Sequence, residues 1–329
     1  MMWQNELRSA IRDPLKLLEY CGLTVQDVAI DVKPAFKVFV PIRWLSHIKK
    51  HEPKDPLLLQ VLSYSDEQLS RPVDMDDPLE EKESILIHGM LHKYPKRVLI
   101  MTSGACPIHC RYCFRRHFPY DSNILTKDNW AAIMLYLQTN DIDEVILSGG
   151  DPLMLSDQRI YIILDDLINR CNIRKIRFHT RFLTSIPARF SDNFFNTLLP
   201  FVDHIIWVMH INHAQELDAD VHHIVKRLMG YGMRVLSQSV LLKDVNDNLS
   251  TLQELMWALD THGIQPYYLH QMDRVSGAGH YDVSIIKGLE LMKELQQTLP
   301  GYLVPKYVKE IPNKKSKTTL SHDLIDVLL

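Results

Sequence analysis

The chain has 329 residues, 46% of them hydrophobic and 23% charged, with a formal net charge of −3. That composition fits a globular protein with a sizeable core, and the charge leaves no electrostatic footprint for nucleic acid or an anionic membrane surface. No apolar run reaches the roughly 18–20 residues of a membrane span, and the five cysteines are too few for a disulfide scaffold in so long a chain.

Residues 1–92 read as a mostly helical extension and linker. The opening MMWQNELRSAIRDP is charged where a signal peptide needs an apolar core, so the expectation is a reduced, cytoplasmic protein. Leu7, Ile11, Leu15 and Leu18 recur at helical spacing, and Pro56 to Leu62 reads as part of a second buried helix. Asp66 to Glu83 is polar and carries an acidic run from Asp74 to Glu81, which reads as a surface linker.

A regular alternation follows. Strands are expected at 97–101, 144–147, 175–178, 204–209, 234–242 and 265–270, and helices at 129–137, 160–168, 221–229, 252–259 and 285–295. Six strand–helix units imply a parallel sheet with helical crossovers. Polar residues follow the strands: Ser148-Gly149-Gly150-Asp151, His179-Thr180-Arg181, His210-Ile211-Asn212-His213 and His270-Gln271-Met272-Asp273, with Gln238 inside the fifth. A barrel gathers such strand ends around one cavity, whereas an open sheet spreads them along an edge. The expected fold is α/β, a partial (β/α)6 TIM-like barrel over 93–300, with a C-terminal segment over 301–329.

Cys106, Cys110 and Cys113 lie in the loop after the first of these strands, within eight residues. Three thiolates so close can wrap one soft metal centre. A structural zinc would need a fourth protein ligand, from Cys21, Cys171 or a histidine such as His109. A cubane cluster held by three cysteines instead keeps one iron open to an exogenous ligand.

The C-x3-C-x2-C spacing, with an aromatic residue before the last cysteine, resembles the radical SAM superfamily signature. That resemblance implies a [4Fe-4S] cluster on Cys106, Cys110 and Cys113, with S-adenosylmethionine chelated by the open iron. Ser148, Gly149, Gly150 and Asp151 resemble the family element that approaches the S-adenosylmethionine amino group; alone, the glycine pair would be an ordinary turn. From about residue 70 to Lys317 the chain is similar to the lysine 2,3-aminomutase family. The matching pieces are Lys93-Tyr94-Pro95-Lys96-Arg97-Val98-Leu99, Cys113-Phe114-Arg115-Arg116, Leu147 to Asp151, His210 to His213, Gln238 to Leu242, Asp273 through Tyr281, and Glu310-Ile311-Pro312 ahead of Lys317.

The resemblance implies pyridoxal 5′-phosphate on Lys317 as a Schiff base, with its phosphate met by Lys93 and Arg97. It places the L-lysine α-carboxylate on Arg115 and the ε-ammonium on Asp273 and Glu310, and assigns His210 and Gln238 to S-adenosylmethionine. Read without it, Lys317 is a tail lysine, Lys93 and Arg97 are surface cations, Asp273 is a loop acid, and His210 satisfies core polar groups. Two departures stand out: Glu310 replaces the usual aspartate, and Asn313-Lys314-Lys315-Ser316 replaces a glycine-rich run. The chain stops twelve residues past Lys317, without the zinc-binding extension of free-lysine aminomutases. That form resembles the bacterial branch supplying (R)-β-lysine for elongation factor P, which a separate lysyl-ligase attaches. A homo-oligomer and an electron donor such as flavodoxin or ferredoxin are also implied. The rivals are the same chemistry serving free β-lysine metabolism, a radical SAM enzyme without pyridoxal phosphate, and a zinc-stabilised binding module.

Overall fold

In the computed structural model, which describes residues 2–69 and 71–321, ten strands form one sheet in sequence order. They are β1 (Ile85–Ile87), β2 (Met90–Tyr94), β3 (Arg97–Ser103), β4 (Glu144–Gly149), β5 (Lys175–Thr180), β6 (Ile205–His210), β7 (Arg234–Leu241), β8 (Gln265–Gln271), β9 (Lys306–Lys309) and β10 (Thr318–Thr319). From β3 to β9 every pairing is parallel, while β1, β2 and β10 pair antiparallel at the two edges. The fold is an α/β partial TIM-like barrel, and all six expected strands are present with ends displaced by a few residues.

Local chemistry explains these elements. Val145-Ile146-Leu147 is a continuous apolar run because a central parallel strand is covered on both faces. The helices Lys127–Thr139, Asp157–Asp165, Ala219–Gly230, Leu249–Thr261 and Ile285–Thr298 start behind Thr126, Ser156, Asp218, Asn248 and Ser284. Each of these accepts a backbone N–H from the first turn, a cap worth about 1 kcal/mol. Phe178 and Trp207, register partners on β5 and β6, stack with centroids 4.8 Å apart under the helical layer.

The strand β9 was not expected, since Lys306-Tyr307-Val308-Lys309 is too short for a periodic signal. It is held by a close approach: a Cβ on Gly288, inside the helix Ile285–Thr298, would collide with the Tyr307 hydroxyl. That hydroxyl donates to Gln271 Oε1.

The N-terminal region departs from its reading in two places. Asp13 caps a new helix with Pro14 in its first turn, so Leu7 and Leu18 lie in separate helices, Met2–Ser9 and Pro14–Cys21. Ile11 instead bridges to Val40, and Leu15 is exposed. The helix at Pro56 ends at Leu59. Leu17, Leu18, Trp44, Leu45, Leu57, Leu58 and Leu62 form a second core, closed by Ile108 of the cysteine loop.

The segment read as a surface linker is a strap packed on the barrel mouth. Leu79 and Glu81 are buried, and Met75 exchanges backbone hydrogen bonds with Arg274 and Ser276 at 2.9 and 3.0 Å. Among the described residues no helix is long and apolar enough to cross a membrane.

Candidate active site

The cysteine loop leaves the end of β3 and folds over the end of β4. Gly150 makes this possible, because a Cβ there would strike the Ala105 carbonyl. Gly149 sits at φ +115°, where a side chain is strained, and its Cβ would lie 2.6 Å from Ser103 O. In this structure the glycine pair makes room for the cysteine loop itself.

Asp151, which follows the glycine pair, is anchored within the protein. Both its oxygens are taken by Leu153 N, Thr180 Oγ1 and Arg181 N at 2.8–3.0 Å. Burial still pushes its carboxyl up to about 7. Its role is to brace the β4 and β5 loops.

The three loop thiols lie near enough to raise one another's pKa. Burial, then Cys113, Asp151 and Cys110, push the Cys106 thiol well up, and burial with Cys110 takes Cys113 to about 11. Thiols gathered this way resist ionising unless a cationic centre compensates, which fits a metal-bearing role. Among the described residues no three His, Cys, Asp or Glu side chains are spaced to hold one ion. Cys21 and Cys171 lie in the two hydrophobic cores, and His109 binds Lys37 O through Nδ1 at 2.7 Å. Cys21 and Cys171 are therefore kept away from the loop as fourth ligands of a zinc site.

Behind the loop lies a buried polar network that sequence reasoning missed. Arg181 Nη1 donates to Cys110 Sγ at 2.8 Å and also to the Tyr112 hydroxyl. Its Nη2 donates to Gln60 Oε1 at 2.7 Å, which Asn212 also reaches at 3.0 Å. Glu67 pairs with Arg111 and Arg116, at 2.5 and 2.6 Å, and so ties the strap to the loop. His210 contacts the Tyr112 hydroxyl at 2.8 Å and is the register partner of Gln238 on the next strand. Burial, then Arg181, keeps His210 neutral by lowering its pKa well below the usual value.

A row of alternating charges runs deeper into the barrel. Arg115 forms two bonds to Glu81, at 2.6 and 2.8 Å. Lys93 bridges Glu81 and Glu310, at 3.3 and 3.0 Å. Lys317 Nζ donates to Glu310 Oε2 at 2.5 Å. Burial opposes the Glu310 charge, but Lys317 and Lys93 outweigh it and hold the carboxyl far below its ordinary range.

Asp273 faces the end of this row. Burial first, and Glu310 second, push its carboxyl up to about 7. Burial, then Lys317, takes His270 down to about 3. The structure thus brings Arg115, Lys93, Glu310, Lys317 and Asp273 together, and Ser148 joins them with its Oγ 3.4 Å from Arg115 Nη1.

Arg97 is not brought to Lys93. It pairs with Glu144 at 2.5 Å, and Glu144 also takes Arg177 at 2.7 Å. Arg97 lies 5.8 Å from the centroid of Tyr94, whose buried hydroxyl has no hydrogen-bond partner among the described residues, as is true of Nε2 of His179. Tyr94 senses Glu310 and Arg97; His179 senses Arg177 and Lys317. Buried polar atoms left unpaired beside a lysine amine and two arginines fit a polar, anionic cofactor such as pyridoxal phosphate.

A partial barrel with a three-cysteine loop after its first parallel strand defines the class, and residues 100–188 match the model of the radical SAM superfamily. That class works through a [4Fe-4S] cluster and S-adenosylmethionine. The chain is 40% identical over 326 residues to L-lysine 2,3-aminomutase of Escherichia coli (strain K12), covering 98% of this chain and 95% of that protein. It is 40% identical over 319 residues to the Haemophilus influenzae protein of the same name, covering 96% and 94%. Against L-lysine 2,3-aminomutase of Clostridium subterminale the identity is 30% over 322 residues, covering 96% of this chain and 77% of that one. The chain belongs to the L-lysine 2,3-aminomutase family.

Proposed function

We propose that this chain moves the α-amino group of L-lysine to the β-carbon, giving (R)-β-lysine. The observation that carries the reading is the charge row ending in Lys317, with a guanidinium at one end and two carboxylates at the other. Arg115 would take the substrate α-carboxylate, and Asp273 with Glu310 the ε-ammonium. Glu310 is already paired with Lys93 and Lys317, but a neutral side chain would leave Asp273 without a cation of its own, so that carboxylate selects for lysine.

Lys317 would hold pyridoxal phosphate, with Lys93 and Arg97 toward its phosphate. Cys106, Cys110 and Cys113 would hold the [4Fe-4S] cluster, beside a S-adenosylmethionine place bordered by Ser148, Gly149, Gly150, His210 and Gln238. Together these groups supply radical hydrogen abstraction and imine chemistry when bound. The chain's own residues prepare the site for it. Glu310 Oε2, 2.5 Å from Lys317 Nζ, accepts from the amine and holds it at the end of the charge row. Neutral His270 and His210 line the barrel without adding positive charge.

Borohydride reduction of the pyridoxal phosphate-loaded protein, followed by peptide mapping, tests this site. A phosphopyridoxyl group on Lys317 is expected; its absence leaves a radical SAM enzyme without that cofactor. The reading extends to elongation factor P, which would receive the β-lysine through a separate lysyl-ligase, with flavodoxin or ferredoxin supplying electrons. Its support is the resemblance to the bacterial branch of the family. Deleting the gene should remove the β-lysyl mass from the factor; an unchanged mass points to free β-lysine metabolism.

A further inference from the structure

We infer that Glu81 is a positioning residue for the substrate carboxylate, holding one edge of Arg115 so that the other faces the ligand. The inference rests on the aminomutase reading of Arg115. A guanidinium offers two edges for bidentate binding, Nε with Nη2 and Nη1 with Nη2. Glu81 takes the first edge through Oε2 and Oε1, at 2.6 and 2.8 Å. On the second edge, Nη1 has among the described residues only a 3.4 Å contact with Ser148 Oγ.

The pair is nearly closed to solvent, at 4% exposure for Glu81 and 8% for Arg115. Burial opposes the Glu81 charge, but Arg115 and Lys93 outweigh it and hold the carboxyl below its usual range. Glu81 is therefore a fixed anion at neutral pH.

The backbone that delivers Glu81 is equally constrained. Asp77 Oδ1 accepts the Glu81 N–H at 2.9 Å. Glu80 lies at φ +49°, a left-handed turn that directs the next side chain inward, and Leu79 anchors the strap at 4% exposure. The strap also spans both ends of the site. Met75 is hydrogen-bonded to Arg274 and Ser276, next to Asp273, and Asn313 Nδ2 donates to Glu80 Oε2 at 3.1 Å, four residues before Lys317. Lys93 then links Glu81 to Glu310. An acidic stretch that resembles a solvated linker thus sets the distance between the two recognition ends.

The test compares L-lysine with 1,5-diaminopentane, which keeps both amines and lacks the carboxylate. Binding to the anaerobic, cofactor-loaded enzyme is followed by the pyridoxal absorbance change, in wild type, Glu81→Gln and Glu81→Asp. In Glu81→Gln the Kd for L-lysine should rise at least about tenfold, the scale of losing one partner of a buried charge pair. The Kd for the diamine should stay within about twofold, and KM for lysine should rise by a larger factor than kcat falls. Glu81→Asp, which keeps the charge, should recover part of the lysine affinity. Equal weakening of both ligands would reduce Glu81 to a structural role and overturn the inference. Tighter lysine binding in Glu81→Gln would overturn it too, by making Glu81 a competitor for Arg115. If wild type itself binds lysine no better than the diamine, the aminomutase reading of Arg115 fails first.

Discussion

Replacing Asp273 with asparagine isolates the ammonium end of the site. In the ligand-free protein its carboxyl is raised from 3.8 to about 7, chiefly by burial and next by Glu310. At about 1.4 kcal/mol per pH unit, this penalises the ionised form by about 4 kcal/mol. The native state then binds more protons than the unfolded chain between these two values, so stability falls as pH rises from about 4 to about 7. Asp273→Asn should remove that slope and make the ligand-free protein more stable above pH 7, by at most about 4 kcal/mol.

Lysine binding works in the opposite direction. An ε-ammonium beside Asp273 favours the carboxylate, so binding should release about 0.9 proton at pH 6, about 0.5 at pH 7 and about 0.1 at pH 8. Other groups facing the site do not mimic this. Glu310 and Glu81 are held ionised, and His270 and His179 are held neutral. Calorimetry of L-lysine binding to the pyridoxal phosphate-loaded enzyme, without reductant, in buffers of different ionisation enthalpy reads the release directly. Wild type minus Asp273→Asn should give the pH series above. A difference that is flat from pH 6 to pH 8 would refute the assignment of the ammonium to Asp273.

Five further substitutions probe the framework. Alanine at Cys106, Cys110 or Cys113 should abolish cluster loading, read as iron content and visible absorbance after anaerobic reconstitution, with the fold retained by circular dichroism. Gly150→Ala should displace the cysteine loop at Ala105 and lower cluster content, even though no ligand is altered. Gly288→Ala should destabilise the protein by about 1–3 kcal/mol through overpacking against Tyr307, measured by urea unfolding, although alanine is the better helix former.

Much of this architecture was legible because it repeats. Val145-Ile146-Leu147 and its counterparts carry their own period, and polar residues at strand ends pointed to one cavity. The cysteine spacing and the Arg115, Asp273, Glu310 and Lys317 positions were legible through resemblance, and the structure gathers the last four with Lys93. What escaped notice depends on contacts distant in sequence. Glu81 and Glu67 lie in a polar stretch whose composition matches a solvated linker, and only Arg115, Arg111 and Arg116 reveal them as buried anions. Gln60 was hidden in an apolar run, and Arg181 was noted as polar without its partner Cys110. The bracing role of Asp151 was not legible either, because Thr180 and two backbone amides reach both its oxygens from the neighbouring loops.

The central claim is tested most directly by incubating the anaerobic enzyme with L-lysine, S-adenosylmethionine, pyridoxal phosphate and a one-electron reductant, then resolving the amino acids chromatographically. The account predicts β-lysine, with S-adenosylmethionine largely preserved over many turnovers. Stoichiometric cleavage of S-adenosylmethionine with no β-lysine would contradict it.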